Sequence, residues 1–169
     1  FPLPRKSRMQ VAISCITTIT MNSWMLKECL SAMESQTYRD FEVIVLPDSE
    51  IDDLNSGDYS YNCRIISTGK VRPAHKRNIG IEQAKGDVVA FIDDDAYPDS
   101  AWIANAVKYF SEPSIGGVGG PGVTPPNDSF FAKAGGRVYE NIFVSGNYRY
   151  RYLGGRIRLD VDDYPSCNL

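Results

Sequence analysis

The chain has 169 residues, of which 43% are hydrophobic and 23% are charged, and its formal net charge is −3 at pH 7. This length and balance are typical of one ordinary globular domain and exclude an intrinsically disordered chain. The charge excludes the broad basic surface of a nucleic-acid-binding protein, and no apolar run reaches the roughly 18 residues needed to cross a bilayer. The first eight residues precede no apolar segment, so we predict no secretory signal and expect a cytoplasmic protein.

The first 110 residues alternate predicted strands and helices. Short β-branched or apolar runs predict strands over residues 10–18, 41–46, 64–67 and 87–92. Apolar residues at helical spacing predict helices over residues 23–36, 73–84 and 100–110. Pro73 suits the first turn of its helix, and Gly86 is the predicted stop after it. The alternation predicts an α/β fold with a mainly parallel sheet, and the apolar fourth strand is typical of a sheet covered on both faces.

From residue 111 the pattern changes. Five glycines occur in the seven residues of Gly116–Gly122, and Val138–Val161 alternates aromatic, basic and apolar residues with glycine breaks. We predict irregular strands and loops here, with a poorly fixed loop over residues 124–160. The alternative is a regular hairpin packed on the sheet that buries Val138, Ile142, Ile157, Leu159 and Val161.

Cysteine and histidine usage argues against two common kinds of site. The four cysteines are widely spaced and form no C-x-x-C pair, so we expect buried, reduced thiols and no zinc site. They are Cys15, Cys29, Cys63 and Cys167. His75 is the only histidine, and it lies in a basic stretch, so we expect no Ser/His or Cys/His catalytic pair.

Three consecutive acids, Asp93, Asp94 and Asp95, follow the apolar fourth strand. Alternation along a strand places Asp93 and Asp95 on one side, and like charges that close are costly unless a cation sits beside them. Oxygen ligands of this kind suit Mg²⁺ or Mn²⁺. The alternative interpretation is a solvated acidic turn before the next helix.

Two further features support a ligand site at this edge of the sheet. Asp48 ends the second predicted strand as Asp93 ends the fourth, so both carboxylates can line one edge. Arg77 and Asn78 lie near the start of a helix, where anions are favoured. Together the acids and the basic helix start predict a pocket for a nucleoside diphosphate.

These motifs, taken jointly, resemble family 2 glycosyltransferases with the GT-A fold. The resemblance covers residues 10–110 and, more loosely, residues 111–169. The matching residues are Leu26-x3-Leu30-x5-Gln36-x4-Phe41-Glu42-Val43-Ile44-Val45, Asp48, Lys76-Arg77-Asn78-x-Gly80-Ile81-x2-Ala84-Lys85-Gly86-Asp87, and the strand that ends in Asp93-Asp94-Asp95.

The resemblance implies a GT-A (Rossmann-like) sheet flanked by helices, with an irregular C-terminal acceptor-side segment. It implies a single domain over residues 1–169, with a nucleotide-binding part at 10–110 and an acceptor-side part at 111–169. The residues that match the family's nucleotide-sugar contacts are Thr18, Asp48, Arg77, Asn78 and Asp93. Asp93 and Asp95 match its D-x-D metal ligands and imply Mn²⁺ or Mg²⁺ as the cofactor.

The activity implied is metal-dependent transfer of a sugar from a nucleotide diphosphate donor to an acceptor hydroxyl, with inversion. The acceptor implied is a sugar, a lipid-linked molecule or a protein, and nucleic acid is not an expected partner. Membrane association is expected only through parts beyond this chain, at the cytoplasmic face. No catalytic base is assigned, because Asp160, Asp162 and Asp163 are candidates by chemistry alone.

Two alternatives come from other functional classes. The chain can be a donor-binding module without turnover, since it lacks an assigned base. It can also be a phosphohydrolase that uses the first acid of the D-x-D as its nucleophile. Such enzymes usually carry Thr or Val soon after that motif, whereas Ala96, Tyr97 and Pro98 follow it here.

Overall fold

The computed structural model describes residues 11–16, 23–155 and 160–161. The strands within these residues are β1 (Val11–Ile16), β2 (Phe41–Val45), β3 (Asn62–Ile65) and β4 (Val88–Asp93). The α-helices are α1 (Ser23–Glu34), α2 (Pro73–Gln83), α3 (Trp102–Val107), α4 (Phe130–Tyr139) and α5 (Ile142–Ser145). Short 3₁₀ helices occupy Ser56–Asp58, Lys108–Ser111 and Gly146–Arg151.

The four strands form one parallel sheet in the order β3-β2-β1-β4. The register places Cys15 opposite Val45 and Ile16 opposite Asp93. Because every described pair is parallel, the carboxyl ends of all four strands meet at one edge of the sheet. The predicted α/β fold with a mainly parallel sheet is confirmed.

Strand β2 is the centre of the hydrophobic core, and all five of its residues are buried. Its side chains alternate between the faces of the sheet, as strand geometry requires. On one face the core cluster is completed by residues of α1 and by Ile103 of α3, while on the other Ile44 and Leu46 pack against Ile79 and Ala84. The α1 residues are Leu26, Cys29, Leu30 and Met33. Helices therefore cover both faces of the sheet.

The sequence predicts that the fourth strand is covered on both faces, but the strand that is fully buried is β2. In β4 only Ile92 is fully buried, and the other five residues are half-buried. The reason is position: β4 is the outermost strand on its side of the described sheet, whereas β2 has a neighbour on each side. An apolar composition alone does not distinguish these two positions.

Helix α2 begins at Pro73, as predicted, with Arg72 extended at the N-cap. Its end differs from the prediction, because Ala84 is the C-cap in an extended conformation and its N–H donates to the Ile81 carbonyl at 3.2 Å. Gly86 is not a left-handed stop; the described glycines with positive φ are Gly69 and Gly146. The third strand also lies two residues earlier than predicted.

The prediction of irregular strands and loops after residue 111 is wrong for residues 130–151, which form α4, α5 and a 3₁₀ helix. Helix α4 is capped by Ser129, whose hydroxyl accepts from the Ala132 N–H at 3.1 Å. Two glycines inside this helix weaken its intrinsic propensity, which hides it from a sequence pattern.

The alternative of a buried hairpin is also wrong. Val138 and Ile142 lie in helices and are exposed, and Val161 is exposed as well. Ile157 and Leu159 lie outside the described residues.

The chain divides into two compact units, Phe1–Gly117 and Val118–Leu169. All fully buried residues of the described part belong to the first unit, and none occurs over residues 118–155. The first unit therefore contains the sheet and the hydrophobic core. The organisation of residues 1–169 as a single domain stays a prediction.

Candidate functional site

The acids predicted for the site follow two strands at the carboxyl edge of the sheet. Asp48 comes three residues after the end of β2, and Asp93 is the last residue of β4. Asp94 and Asp95 form a turn in which the Ala96 N–H donates to the Asp93 carbonyl at 3.1 Å. Since the strand ends at Asp93, strand alternation does not orient Asp95, which is exposed while Asp93 and Asp94 are half-buried.

Lys76 of α2 holds the segment after β2. Its side chain is only 1% exposed, and its Nζ donates to the Leu46 carbonyl at 3.0 Å. The same Nζ lies 2.5 Å from Asp48 Oδ1, and the Asp48 side chain is 16% exposed. The ion pair thus attaches the first half of α2 to the carboxyl end of β2.

The loop after β3 fixes Asp48 from a second direction. The Gly69 N–H donates to the Asp48 carbonyl at 3.0 Å, and the Thr68 N–H donates to the Pro47 carbonyl at 2.9 Å. Gly69 has φ +74°, a left-handed conformation that glycine adopts without strain. Backbone and side chain of Asp48 are therefore both held by neighbouring elements.

Arg77, the next residue of α2, lies beside the acid at the end of β4. One terminal nitrogen of its guanidinium is 3.7 Å from Asp93 Oδ1. Its Nε is buried and makes no hydrogen bond to the described residues. A guanidinium has five N–H donors, so Arg77 retains donors for an anionic ligand at this edge.

The acid turn is electrostatically unfavourable in the absence of a cation. Burial is the main cause of the raised pKa of Asp93, and the negative charge of Asp95 is the second cause. The positive charge of Arg77 lowers this pKa and so opposes both. Burial also raises the pKa of Asp94, to which the charges of Asp95 and Asp93 add, while the charge of Lys76 acts against it. Partly desolvated, mutually repelling carboxylates are a donor set that a divalent cation would stabilise.

The residues present fit a divalent ion that shares its coordination with substrate. No cluster of three or more His, Cys, Asp or Glu side chains with metal-binding geometry occurs within residues 11–16, 23–155 and 160–161. Asp93 and Asp95 alone would leave most positions of a Mg²⁺ or Mn²⁺ ion open. Such ions commonly bind through one or two carboxylates together with phosphate oxygens and water.

The structure brings together part of the predicted site. Asp48 and Asp93 lie at one edge of the sheet, beside Lys76 and Arg77, respectively. Asn78 is exposed on α2 and has no described hydrogen bond to these residues. Thr18 lies outside the described residues, two positions after β1 ends opposite Asp93.

Lys76 is the site residue whose structural role the sequence analysis missed. It occupies the face of α2 that includes Gly80, four residues on, and that turns toward the sheet. The sequence signal for this role is the spacing of four residues between Lys76 and Gly80, which places both on one face of the helix. A lysine on a buried face needs a partner for its charge.

The other predicted polar and thiol groups lie elsewhere. Cys29 and Cys63 are buried and form no disulfide within the described residues, as expected of reduced thiols, and burial raises the pKa of Cys63 to about 11. His75 is exposed on α2, and Asp160 is exposed. Four predicted positions fall outside what the structure describes: the side chain of Cys15, and Cys167, Asp162 and Asp163.

The acids at the carboxyl ends of the second and fourth strands lie at the edge where open, parallel α/β sheets bind their ligands. The sequence profile of Glycosyl transferase family 2 matches residues 14–165. The chain therefore belongs to glycosyl transferase family 2, and the predicted family and GT-A fold are confirmed.

Curated relatives match parts of the chain. The glycosyltransferase AglE of Haloferax volcanii is 28% identical over 116 residues, which are 64% of this chain and 38% of the relative. The GalNAc(5)-diNAcBac-PP-undecaprenol β-1,3-glucosyltransferase of Campylobacter jejuni is 30% identical over 78 residues, 42% of this chain and 25% of the relative. The chain thus spans well under half the length of these relatives.

Among solved structures, a mannosyltransferase from Pyrobaculum calidifontis in complex with GDP-Man and Mn²⁺ has a similar fold. The TM-score is 0.58 at 26% sequence identity, and the match covers 75% of this chain and 39% of that one. In the part of this chain that the structure describes, no helix combines the length and apolarity needed to span a membrane.

Proposed function

We propose that the chain is the donor-binding part of a glycosyltransferase that moves a sugar from a nucleotide diphosphate to an acceptor hydroxyl. The observation that carries the proposal is the pairing at the carboxyl edge of the sheet, where α2 sets Lys76 beside Asp48 and Arg77 beside Asp93. Family membership supports the same activity. It also favours sugar transfer over the phosphohydrolase alternative.

Each residue has a proposed role toward the donor. Asp48 accepts hydrogen bonds from the nucleoside, and Arg77 donates to the diphosphate through its partly exposed guanidinium. Thr18 and Asn78 contact the nucleotide sugar, as the resemblance implies. Lys76 is a positioning residue, because its ion pair orients Asp48 without reaching the ligand.

Asp93 and Asp95 are the proposed ligands of Mn²⁺ or Mg²⁺. When bound, the ion supplies Lewis-acid stabilisation of the negative charge that develops on the departing diphosphate. The raised pKa of Asp93 fits this role, since a nearby cation would favour the ionised carboxylate. The Mn²⁺ in the complex of the Pyrobaculum mannosyltransferase supports the choice of metal.

We further propose inversion at the anomeric carbon and an acceptor that is a sugar, a lipid-linked molecule or a protein. The name of the Campylobacter relative includes an undecaprenol-linked acceptor, which supports the lipid-linked class. That acceptor class would place the protein at the cytoplasmic face of a membrane. A carboxylate should take the acceptor proton, and no described residue is assigned to that step.

The donor is identified by a thermal-shift panel of UDP-, GDP-, CMP- and dTDP-sugars, each with and without Mn²⁺. A donor at a hundredfold over its Kd should add about 2.7 kcal/mol to the free energy of unfolding. Stabilisation by one base series that requires Mn²⁺ supports the proposal. Absence of stabilisation by every donor contradicts it.

Replacing Asp95 by Asn should weaken Mn²⁺-dependent donor binding at least tenfold, about 1.4 kcal/mol, because a metal ligand loses its charge. Asp40 is a matched control, since it precedes β2 at the opposite end of that strand from Asp48. Asp40→Asn should bind donor as the parent does. Equal donor affinities of Asp95→Asn and the parent, with and without chelator, would show that Asp95 holds no metal.

A donor-binding module without turnover is the second candidate, because no described residue is assigned as the catalytic base. The same panel followed by an assay for donor hydrolysis or transfer separates the two. Binding without any turnover, in this chain and in a chain extended beyond Leu169, favours the module.

A further inference from the structure

Helix α4 exposes an apolar stripe to solvent. Successive residues of a helix are rotated by about 100°, so positions 130, 131, 134 and 138 lie on one side. These exposed positions carry Phe130, Phe131, Ala134 and Val138. Phe130 is 77% and Phe131 85% exposed, and the two rings contact each other edge to face at 5.7 Å. An amphipathic helix of a globular protein normally buries its apolar stripe, so this orientation is reversed.

The inner face of α4 explains the reversal. Its half-buried positions include Ala132, Gly135 and Gly136, which are small. A Cβ on Gly136 would lie 2.1 Å from Thr124 Oγ1, so the helix packs closely against the segment around Thr124. Small residues therefore serve the packed face, and the large apolar side chains are left on the outside.

Helix α5 continues the exposed apolar surface after only two residues. Phe143 is 95% exposed, and Ile142 and Val144 are more than half exposed. With the four positions of α4, this makes seven exposed apolar side chains within residues 130–144. Exposed apolar surface on this scale marks an interaction site in a folded protein.

Basic residues accompany this surface. Lys133 and Arg137 are exposed on α4, one turn apart, and Arg137 pairs with Glu140 at 2.7 Å. Within residues 130–145, which span both helices, the sequence has two basic residues and one acidic residue, although the whole chain has net charge −3. The region is thus locally positive, which complements an anionic partner.

The size of the surface separates two kinds of partner. A stable protein–protein interface uses roughly 20–30 residues on each side. The ten residues of α4 extend only about 15 Å, and its apolar stripe and α5 together offer seven apolar side chains. A short helix with Phe on one face and Lys and Arg beside it is suited to the boundary between headgroups and acyl chains.

We propose that α4 and α5 form a docking surface for an anionic lipid bilayer, in place of the expectation that only parts beyond this chain contact a membrane. The exposed phenylalanines enter the acyl boundary, and Lys133 and Arg137 lie at the phosphates. The inference is independent of the proposed sugar transfer, because it uses no residue of the donor site.

The test is flotation of the 169-residue chain with vesicles of phosphatidylglycerol and phosphatidylcholine in equal parts, and with vesicles of phosphatidylcholine alone. Binding should favour the anionic vesicles and fall with added salt. The double variant Phe130→Ser/Phe131→Ser should bind at least tenfold more weakly. Lys133→Gln should bind about fivefold more weakly, since one basic residue near such a surface contributes about that factor.

The matched control is Trp24→Ser, which removes an exposed aromatic side chain from α1 in the first unit and should bind as the parent does. Circular dichroism checks that the double variant is folded. Phe143→Trp gives a second measurement that needs no loss of function, because its emission should shift to the blue on anionic vesicles.

Three results would overturn the proposal: no binding of the parent to anionic vesicles, equal binding of the parent and the double variant, or an unshifted Phe143→Trp emission. A concentration-dependent dimer that the double variant abolishes, without vesicle binding, would assign the surface to a second copy of the chain.

Discussion

Lys76 is a buried, charged residue. Its ammonium contacts the Leu46 carbonyl and the Asp48 carboxylate, which lie in the segment after β2. Asp48 and the Leu46 carbonyl replace part of the hydration that this buried ammonium loses. Asp48 consequently has two roles: it pairs with Lys76, and it is a proposed contact to the nucleoside. A simple alanine substitution at Asp48 would confuse them.

Replacing Asp48 by Ala should lower the free energy of unfolding by about 2–3 kcal/mol, because it removes the carboxylate that pairs with the buried Lys76 ammonium. Lys76→Met in the same chain should recover most of this loss, since a methionine of similar length needs no charged partner. Urea denaturation of the parent, both single variants and the double variant measures the coupling. Additive effects of the two substitutions would contradict the ion pair's structural role.

Asp94 lies within the acid turn but is not a proposed ligand, so it reports on the cost of holding an ionised carboxylate there. Its pKa is raised in the folded state, chiefly by burial. The folded protein therefore holds this proton more tightly than the unfolded one. Ionisation of Asp94 costs stability as the pH rises from 3.8 through the raised pKa.

Replacing Asp94 by Asn should accordingly stabilise the metal-free protein at pH 7, by about 2 °C in melting temperature. The gain in melting temperature should be absent below pH 3.8 and should grow as the pH rises from 3.8 through the raised pKa of Asp94. Above that pKa the gain should be constant. Thermal denaturation between pH 3.5 and 7 measures the difference from the parent, with Asp40→Asn as control. A gain that is the same at both ends of this range would show that the ionisation of Asp94 is not its cause.

At the scale of elements, α2 is held at both ends. Its first half is attached to β2 by Lys76, and its C-terminal end by Arg64 of β3, which donates to the Gln83 carbonyl at 2.9 Å. Arg64 also lies 3.4 Å from Glu42, a fully buried carboxylate of β2. The helix that presents Arg77 to the acid turn is therefore fixed relative to the sheet.

Helix α4 contains a natural matched pair in Gly135 and Gly136. A Cβ at Gly135 meets no atom within 4 Å, so Gly135→Ala should stabilise the helix by about 0.5–1 kcal/mol through its propensity. A Cβ at Gly136 would meet Thr124 Oγ1 at 2.1 Å and Thr124 Cβ at 3.0 Å, atoms too near the backbone to move freely. Gly136→Ala should therefore destabilise α4 by about 1–3 kcal/mol.

Hydrogen exchange of the α4 amides measures both effects, with slower exchange for Gly135→Ala and faster exchange for Gly136→Ala. Adding Thr124→Ala to Gly136→Ala removes the nearest atom and should restore part of the protection. Similar exchange in the two glycine variants would show that α4 does not pack against Thr124.

For the whole molecule, the hydrophobic core and the proposed donor site belong to the same unit. The unit Phe1–Gly117 contains the sheet and the two hydrophobic clusters on its faces. It also contains the proposed site residues Asp48, Lys76, Arg77, Asp93 and Asp95. Over residues 118–155 no residue is fully buried, so this part adds little to the core.

A chain that ends at Gly117 should therefore fold and bind donor with Mn²⁺, with a Kd within about threefold of the 169-residue chain. Circular dichroism follows folding, and isothermal titration with the donor found by the panel measures the Kd. Loss of donor binding in a folded, truncated chain would show that residues after 117 contribute to the donor site.

Much of the fold could be predicted from the sequence because it depends on local patterns. The β-branched runs, the helical spacing of Leu26, Leu30 and Met33, and Pro73 at a helix start specify elements whose alternation requires a parallel sheet. The acids after two parallel strands must then share one edge, which is why Asp48 and Asp93 could be predicted to lie there.

Tertiary structure decided what depends on neighbours distant in the chain. Packing and register place β2 inside the described sheet and β4 at its edge, and composition does not encode either position. They also bury Lys76 against Asp48 and end β4 before Asp95. The same holds for α4: its two glycines weaken a helix in isolation, and the close approach of Thr124 requires a glycine at position 136. That contact turns the large apolar residues outward, so the exposed surface of α4 is a consequence of packing and not of sequence pattern alone.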